Sequence, residues 1–118
     1  MRIRRIVPNI YTGKIEQSKQ FYSDFLGLKP AMDLGWVVTF ASETNLTAQL
    51  TIVKDENLST LNDAITIAIE VFDIDMLYEM AIKKGYPIAS EIKNEDWGIR
   101  RFMVRDPNNV VLYIMSHL

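Results

Sequence analysis

The sequence predicts an α+β fold made of two tandem βαβββ repeats around a concave cavity, and three observations carry that expectation. A strand-like run, a helical run, a glycine and three further strand-like runs occur twice, with the helix-closing Gly27 and Gly85 standing 58 residues apart. The polar, irregular stretch K-D-E-N-L-S-T-L-N-D at 54–63 separates the two occurrences. The second one ends in a hairpin signal, in which W-G-I-R-R-F-M-V and V-V-L-Y-I-M flank the turn R-D-P-N-N. One domain over residues 1–118 is expected, with repeat 1 at about 1–54, a linker at 55–63 and repeat 2 at about 64–118.

In chain order, residues 3–11 read as a first strand, with Pro8 tolerable at an edge or bulge. Residues 15–26 follow helical spacing, clustering Ile15, Phe21, Tyr22, Phe25 and Leu26 on one side, with Thr12 in the cap region. Gly27 then supplies a left-handed stop on which Leu28 folds back. Three short strands are expected at 29–34, 36–41 and 46–53, with Gly35 and the S-E-T-N stretch as turns. After the linker, 64–72 reads as a strand and 73–84 as a helix capped by Asp73 and closed by Gly85. Strands at 88–92, 99–104 and 110–115 complete the repeat. In the last turn Asp106 can bond its own backbone, Pro107 fixes φ, and Asn108 or Asn109 tolerates positive φ.

Composition narrows the class. With 48% hydrophobic and 24% charged residues the chain can bury a core. A net charge of -2 gives no electrostatic reason for a nucleic-acid partner, and the small basic groups Arg2, Arg4, Arg5 and Arg100, Arg101, Arg105 read as solvated faces. The absence of cysteine excludes disulfides, thiolate metal sites and cysteine nucleophiles. No run is long enough to span a bilayer and the N-terminus lacks a signal-peptide core, so no membrane partner and a cytoplasmic location are expected. The edge strands of a βαβββ unit invite pairing, so a homodimer is expected.

Three pieces of the chain resemble the glyoxalase/bleomycin-resistance/dioxygenase superfamily, also called the vicinal oxygen chelate fold. They are S-K-Q-F-Y-S-D-F-L-G-L at 18–28, I-A-I-E-V-F-D-I-D at 67–75, and W-G-I-R-R-F-M-V-R-D-P-N-N-V-V-L-Y at 97–113. The family usually carries Asp-Pro-Asp-Gly-Asn in that turn, so Asn109 stands where glycine is usual, a change compatible with positive φ. The W-G-x-R-x-F spelling at Trp97–Phe102 is similar to the bleomycin-resistance branch of metal-free, dimeric drug-binding proteins. By that resemblance Trp97, Phe40, Trp36 and Tyr113 would offer stacking surface, with ordinary core or dimer packing as the alternative for each.

Metal-dependent relatives hold a divalent ion with His or Gln on the first strand, His on the fifth and Glu on the eighth. The resemblance places those positions at Val7, Thr66 and Tyr113. An isopropyl group, a neutral hydroxyl and a phenol are a poor set for such an ion. Asn9 and Glu70 fall nearby without making a triad, and the lone histidine, His117, reads as a frayed C-terminal surface residue. No metal and no cofactor are therefore expected.

Strand parity supplies a list of cavity residues. Thr66, Ala68 and Glu70 share one face, while Ile65, Ile67, Ile69 and Val71 share the other and should lie under the helix. The same alternation puts Asn9 and Tyr11, Gln49 and Thr51, and Val111, Tyr113 and Met115 toward the concavity. The expected ligand-contacting set is Asn9, Tyr11, Trp36, Gln49, Thr51, Thr66, Glu70, Trp97, Arg101 and Tyr113. This wall mixes aromatic bodies with hydrogen-bonding tips, which suits a small organic molecule; a closed core with satisfied polar groups is the alternative. A carboxylate at Glu70 needs a partner, for which Arg100 or Arg101 is placed on the hairpin, or else stands as a lone acid able to bind a cation or act as a base. Three readings follow. The first is a metal-independent small-molecule-binding protein, antibiotic- or metabolite-sequestering. The second is a lyase, isomerase or dioxygenase with an atypical metal site or acid–base chemistry at Glu70 and perhaps Tyr113. The third is a non-catalytic interaction protein.

Overall fold

A computed structural model of the chain describes residues 1–55 and 65–118. The chain divides into two units, whose boundary falls in the undescribed stretch. The expected linker at 55–63 and the start of the following strand at Ala64 therefore lie outside the described residues, apart from Asp55.

The first unit contains strand β1 (Asn9–Thr12), helix α1 (Ile15–Lys19) continued by a π-helical turn (Gln20–Phe25), then β2 (Lys29–Asp33), β3 (Val37–Ala41) and β4 (Gln49–Lys54). The second contains β5 (Thr66–Glu70), α2 (Ile74–Lys84), β6 (Ile88–Asn94), β7 (Ile99–Arg105) and β8 (Val111–His117). Each unit forms a four-stranded sheet of the same topology, β1-β4-β3-β2 and β5-β8-β7-β6. In both, the first strand runs parallel to the last and every other pairing is antiparallel. This is the expected βαβββ pattern, twice.

Each sheet buries one face under its own helix. In the first unit Ile10, Val38, Phe40, Leu50 and Ile52 meet Phe21, Tyr22 and Phe25, all at most 4% exposed. The ring centroids of Phe21 lie 5.1 Å from those of both Tyr22 and Phe25, and Tyr22 lies 5.9 Å from Phe40. In the second unit Phe102, Val104, Leu112 and Ile114 are wholly buried, and Tyr78 of α2 meets Phe102 edge-on at 5.0 Å.

Several boundaries differ from expectation: β4 starts at Gln49 rather than Leu46, β5 ends at Glu70 rather than Phe72, β6 runs on to Asn94, and three others have a clear physical reason. The first strand begins at Asn9, not Ile3. It pairs in parallel with β4 from Asn9↔Thr51, so a residue as early as Ile3 would lie opposite the 42–48 turn, where there is no ladder. The helical run at 15–26 is α-helical only to Lys19. Beyond it the chain widens, with Leu26 N–H donating to the Phe21 carbonyl five residues back. The neighbours Phe21 and Tyr22 are both fully buried, and a wider turn accommodates two adjacent rings against one sheet. Thr12 is no cap of that helix; it is buried, accepts from Lys14 N–H at 2.8 Å and lies 3.2 Å from Ser18 Oγ. The last strand runs on to His117, because Ile99 pairs with it across the ladder.

The punctuation residues behave as their chemistry requires. Gly27 and Gly85 take φ of 74° and 78°. Asp73 accepts from Met76 N–H at 3.1 Å as the cap of α2. Asn109 sits at φ 66°, and buried Asp106 Oδ1 accepts from both Asn108 N–H and Val110 N–H at 2.8 Å.

Candidate functional site

The helix-covered faces are filled with aliphatic and aromatic side chains, so polar chemistry collects on the opposite, helix-free faces. On the first sheet that face carries Asn9 and Tyr11 from β1, Gln49 and Thr51 from β4, and Thr39 from β3. The register aligns Asn9↔Thr51↔Thr39 as a polar row. Thr39 and Thr51 hydroxyls lie 2.8 Å apart. Gln49 donates to the Leu46 carbonyl at 2.7 Å and accepts from Arg5. All four residues that parity placed on this face are there.

On the second sheet the rows read Thr66↔Val111↔Arg105, Ala68↔Tyr113↔Met103 and Glu70↔Met115↔Arg101. Thr66, Ala68 and Glu70 are exposed while Ile67 and Ile69 are half-buried, as the alternation requires. Ile65 departs from its expected place under the helix: it is 60% exposed and precedes β5.

The partners of the charged residues correct two expectations. Glu70 bonds neither arginine; its Oε2 lies 2.9 Å from Nδ1 of His117, and both side chains are more than half exposed. An ionised carboxylate only accepts, so this contact is made through an N–H at Nδ1. His117 is thus no frayed end but the last residue of β8, directed at Glu70. The parallel neighbours β5 and β8 bring these two residues together across 47 positions of sequence, a signal that requires the strand order to be known. Arg100 turns to the other side, binding Asp75 at 2.9 Å in the first turn of α2 and Asn94 at 2.9 Å.

Arg101 is 6% exposed. Its Nε donates to Glu95 at 2.9 Å and its Nη1 to Ser90 Oγ at 2.6 Å and the Glu91 carbonyl at 3.3 Å. The ladder between β6 and β7 shifts register around Ser90, a bulge that frees the Glu91 carbonyl for this bond. Lys93 lies directly opposite Arg101, and Glu95 sits between the two like charges, 3.4 Å from Lys93 Nζ.

The aromatic residues divide. Trp36 and Trp97 lie on the β2–β3 and β6–β7 turns, 57% and 67% exposed, off the sheet faces. Tyr113 is half-buried in the middle row of the second sheet. Phe40 is wholly buried against Tyr22, the core packing that stood as the alternative to stacking surface.

A cleft of about 260 Å³ lies instead on the helix side of the first unit, lined by Glu16, Lys19, Gln20, Ser23, Asp24, Pro30, Asp33 and Phe40. Lys19 and Asp33 join across it at 2.9 Å. That contact, a hydrogen bond first and charge attraction second, raises the Lys19 pKa. The same bond, helped by Gly35 N–H, lowers that of Asp33. None of the expected ligand-contacting set lines this cleft.

The three positions that the resemblance marks for a metal carry poor donors for a divalent ion. Val7 precedes β1, Thr66 opens β5 and Tyr113 lies mid-strand in β8, and none offers a carboxylate or imidazole. Among the described residues no group of three or more His, Asp or Glu could hold a metal. Nor, among them, is any helix long and apolar enough to cross a membrane.

Comparison with known proteins agrees with this architecture. A family model described as a glyoxalase-like domain matches residues 6–118. A protein of unknown function from Agrobacterium tumefaciens is 25% identical and has a TM-score of 0.75, with 100% of this chain and 95% of that one covered. A member of the glyoxalase/bleomycin resistance protein/dioxygenase superfamily from Sphaerobacter thermophilus gives 0.79 at 18% identity, with 99% of both chains covered. The bleomycin-binding protein of bleomycin-producing Streptomyces verticillus, in complex with copper(II)-bleomycin, gives 0.74 at 20% identity over 100% of this chain and 99% of that one. Among curated proteins none matches the sequence.

Proposed function

The chain belongs to the glyoxalase-like domain family, and from that premise we propose that it is a metal-independent small-molecule-binding protein whose helix-free sheet faces contact the ligand. The observation that carries the reading is the segregation of side chains. Each sheet packs its most deeply buried aliphatic and aromatic residues under its own helix and mixes hydrogen-bonding tips with apolar bodies such as Val37, Val53, Val111 and Met115 on the other face. Asn9, Tyr11, Gln49 and Thr51 supply that chemistry in the first unit, and Thr66, Glu70, Arg101 and Tyr113 in the second. The turn residues Trp36 and Trp97 add stacking surface.

The binding protein from Streptomyces verticillus supports this reading as a relative in fold that holds a small molecule. Both units are read as one functional domain, since the family model spans them. A homodimer in the cytoplasm is part of the proposal. The donor set at Val7, Thr66 and Tyr113 supports metal independence.

A thermal-shift screen of small aromatic and polar organic compounds tests the reading, with elemental analysis after loading with Mn(II), Fe(II), Ni(II) and Zn(II). Stabilisation by a compound family, without retained metal, is expected. No stabilising compound, or stoichiometric metal, would overturn it. The Glu70–His117 contact favours a second reading, acid–base catalysis, because it pairs an imidazole with an exposed carboxylate at 2.9 Å. Full turnover of any identified substrate by Glu70→Gln would remove that reading.

A further inference from the structure

We propose that Arg101 anchors an oxyanion, specifically the carboxylate of a small ligand, on the helix-free face of the second sheet. This deepens the ligand-binding reading and rests on it.

A buried guanidinium requires acceptors for its donors. Arg101 has five N–H donors, and burial at 6% exposure leaves little water to satisfy them. Nε is taken by Glu95, and Nη1 by Ser90 Oγ and the Glu91 carbonyl. Nη2 makes no hydrogen bond among the described residues. No buried side-chain nitrogen or oxygen there lacks a partner, so Nη2 must keep an opening to solvent. The group is therefore held through Nε and Nη1, and the N–H donors of Nη2 have no acceptor among the described residues. A ligand oxygen would meet it without the ordering cost of a free arginine.

Charge points the same way. Lys93 and Arg101 face each other across the ladder and share the single carboxylate of Glu95, which leaves one positive charge uncompensated in this group. Exposed Glu91, beside them on β6, gives Arg101 only its backbone carbonyl, and Glu70 is two strands away and engaged with His117. The neighbouring cation Arg100 is turned to the helix side and bound to Asp75. A planar guanidinium with weakly hydrated donors suits a carboxylate better than a lysine would. The body of such a ligand would lie over Met115, directly across from Arg101, and over the adjoining Met103–Tyr113 row. These are polarizable and aromatic surfaces that favour a flat apolar group. The ligand class is thus an aromatic or otherwise apolar carboxylate.

Benzoate and its neutral isostere benzamide separate the terms. Each is titrated into the full chain at low ionic strength while side-chain ¹⁵N signals of Arg101 and backbone amides are followed. Variants Arg101→Lys and the distant charge control Lys84→Gln are run in parallel, with the amide spectrum checking that each folds. Benzoate should move the Arg101 guanidinium signals and bind roughly tenfold or more tightly than benzamide, from the usual strength of a charge-assisted hydrogen bond. Arg101→Lys should lose that preference and Lys84→Gln should keep it. Equal binding of the two compounds over Met115 and Tyr113 would overturn the oxyanion anchor and leave the ligand-binding reading standing. Benzoate that leaves Arg101 unmoved, while neither compound shifts any amide of the face, would overturn both.

Discussion

Replacing Asp106 with alanine removes the acceptor on which the β7–β8 turn depends, and its cost follows from the structure. Oδ1 takes two backbone N–H bonds, from Asn108 and Val110, each at 2.8 Å. Asp106, Asn108 and Val110 are 5%, 4% and 2% exposed, so both amides would be left buried without their carboxylate. An unsatisfied buried donor costs about 1–3 kcal/mol, giving roughly 2–6 for the pair. Exposed Asn109 lets water reach the turn, and the backbone bond from Asp106 N–H to the Val110 carbonyl survives, so the lower half applies and about 3 kcal/mol is expected. Asp106→Asn keeps an oxygen in place while losing charge assistance and should cost about 1 kcal/mol. Urea unfolding followed by circular dichroism measures both; at a slope of about 2 kcal/mol per molar, the alanine variant's midpoint falls by roughly 1.5 M. An alanine variant within about 0.5 kcal/mol of the parent, the range of ordinary surface substitutions, would refute the reasoning. So would an asparagine variant as damaged as alanine. The functional consequence lies in register, because this turn sets Arg101 opposite Met115 and Met103 opposite Tyr113.

Four further outcomes are expected. Phe21→Ala empties a fully buried site that touches Tyr22 and Phe25, and should cost about 3–5 kcal/mol in the same unfolding assay. Gly85→Ala meets nothing within 4 Å, so only its φ of 78° penalises it; about 1–2 kcal/mol is expected, and no loss would contradict the helix stop. Asp73→Ala removes the cap bond to Met76 N–H and should lower stability by about 1 kcal/mol. The Lys19–Asp33 pair has a definite pH window. Asp33 is depressed, so its contribution is present above its unfolded pKa and lost as acid titrates it through the folded value. Lys19 is raised, so its contribution is present below its unfolded pKa and lost in strong alkali. Carboxyl NMR should find Asp33 below the ordinary aspartate range in the parent and returned toward it in Lys19→Met.

Much of the fold was legible because its signals are local. Glycine at 27 and 85, Asp73 before its helix, and the Asp106 turn each act within a few residues, and strand parity sorted Thr66, Ala68 and Glu70 from Ile67 and Ile69. What the sequence hid depends on distant partners. The late start of β1 follows from where β4 begins. The π-helical turn follows from two adjacent rings meeting one sheet. Glu70's bond to His117 needs β5 beside β8, and without that order Arg100 and Arg101 stood as its nearest cations. Arg101's own partner was closer at hand: Glu95 and Ile99 bracket a turn that Trp97-Gly98 announces, and the hairpin carries the carboxylate back to the guanidinium.

Amide chemical-shift mapping with a panel of small aromatic acids, amides and amines tests most directly whether a helix-free sheet face binds a small organic molecule. Shifts are expected on the helix-free faces, at Asn9 and Thr51 in the first unit or at Thr66, Glu70, Arg101 and Tyr113 in the second. Shifts gathered around Glu16, Lys19 and Asp33, on the opposite side of the first sheet, or none from any compound, would contradict binding there.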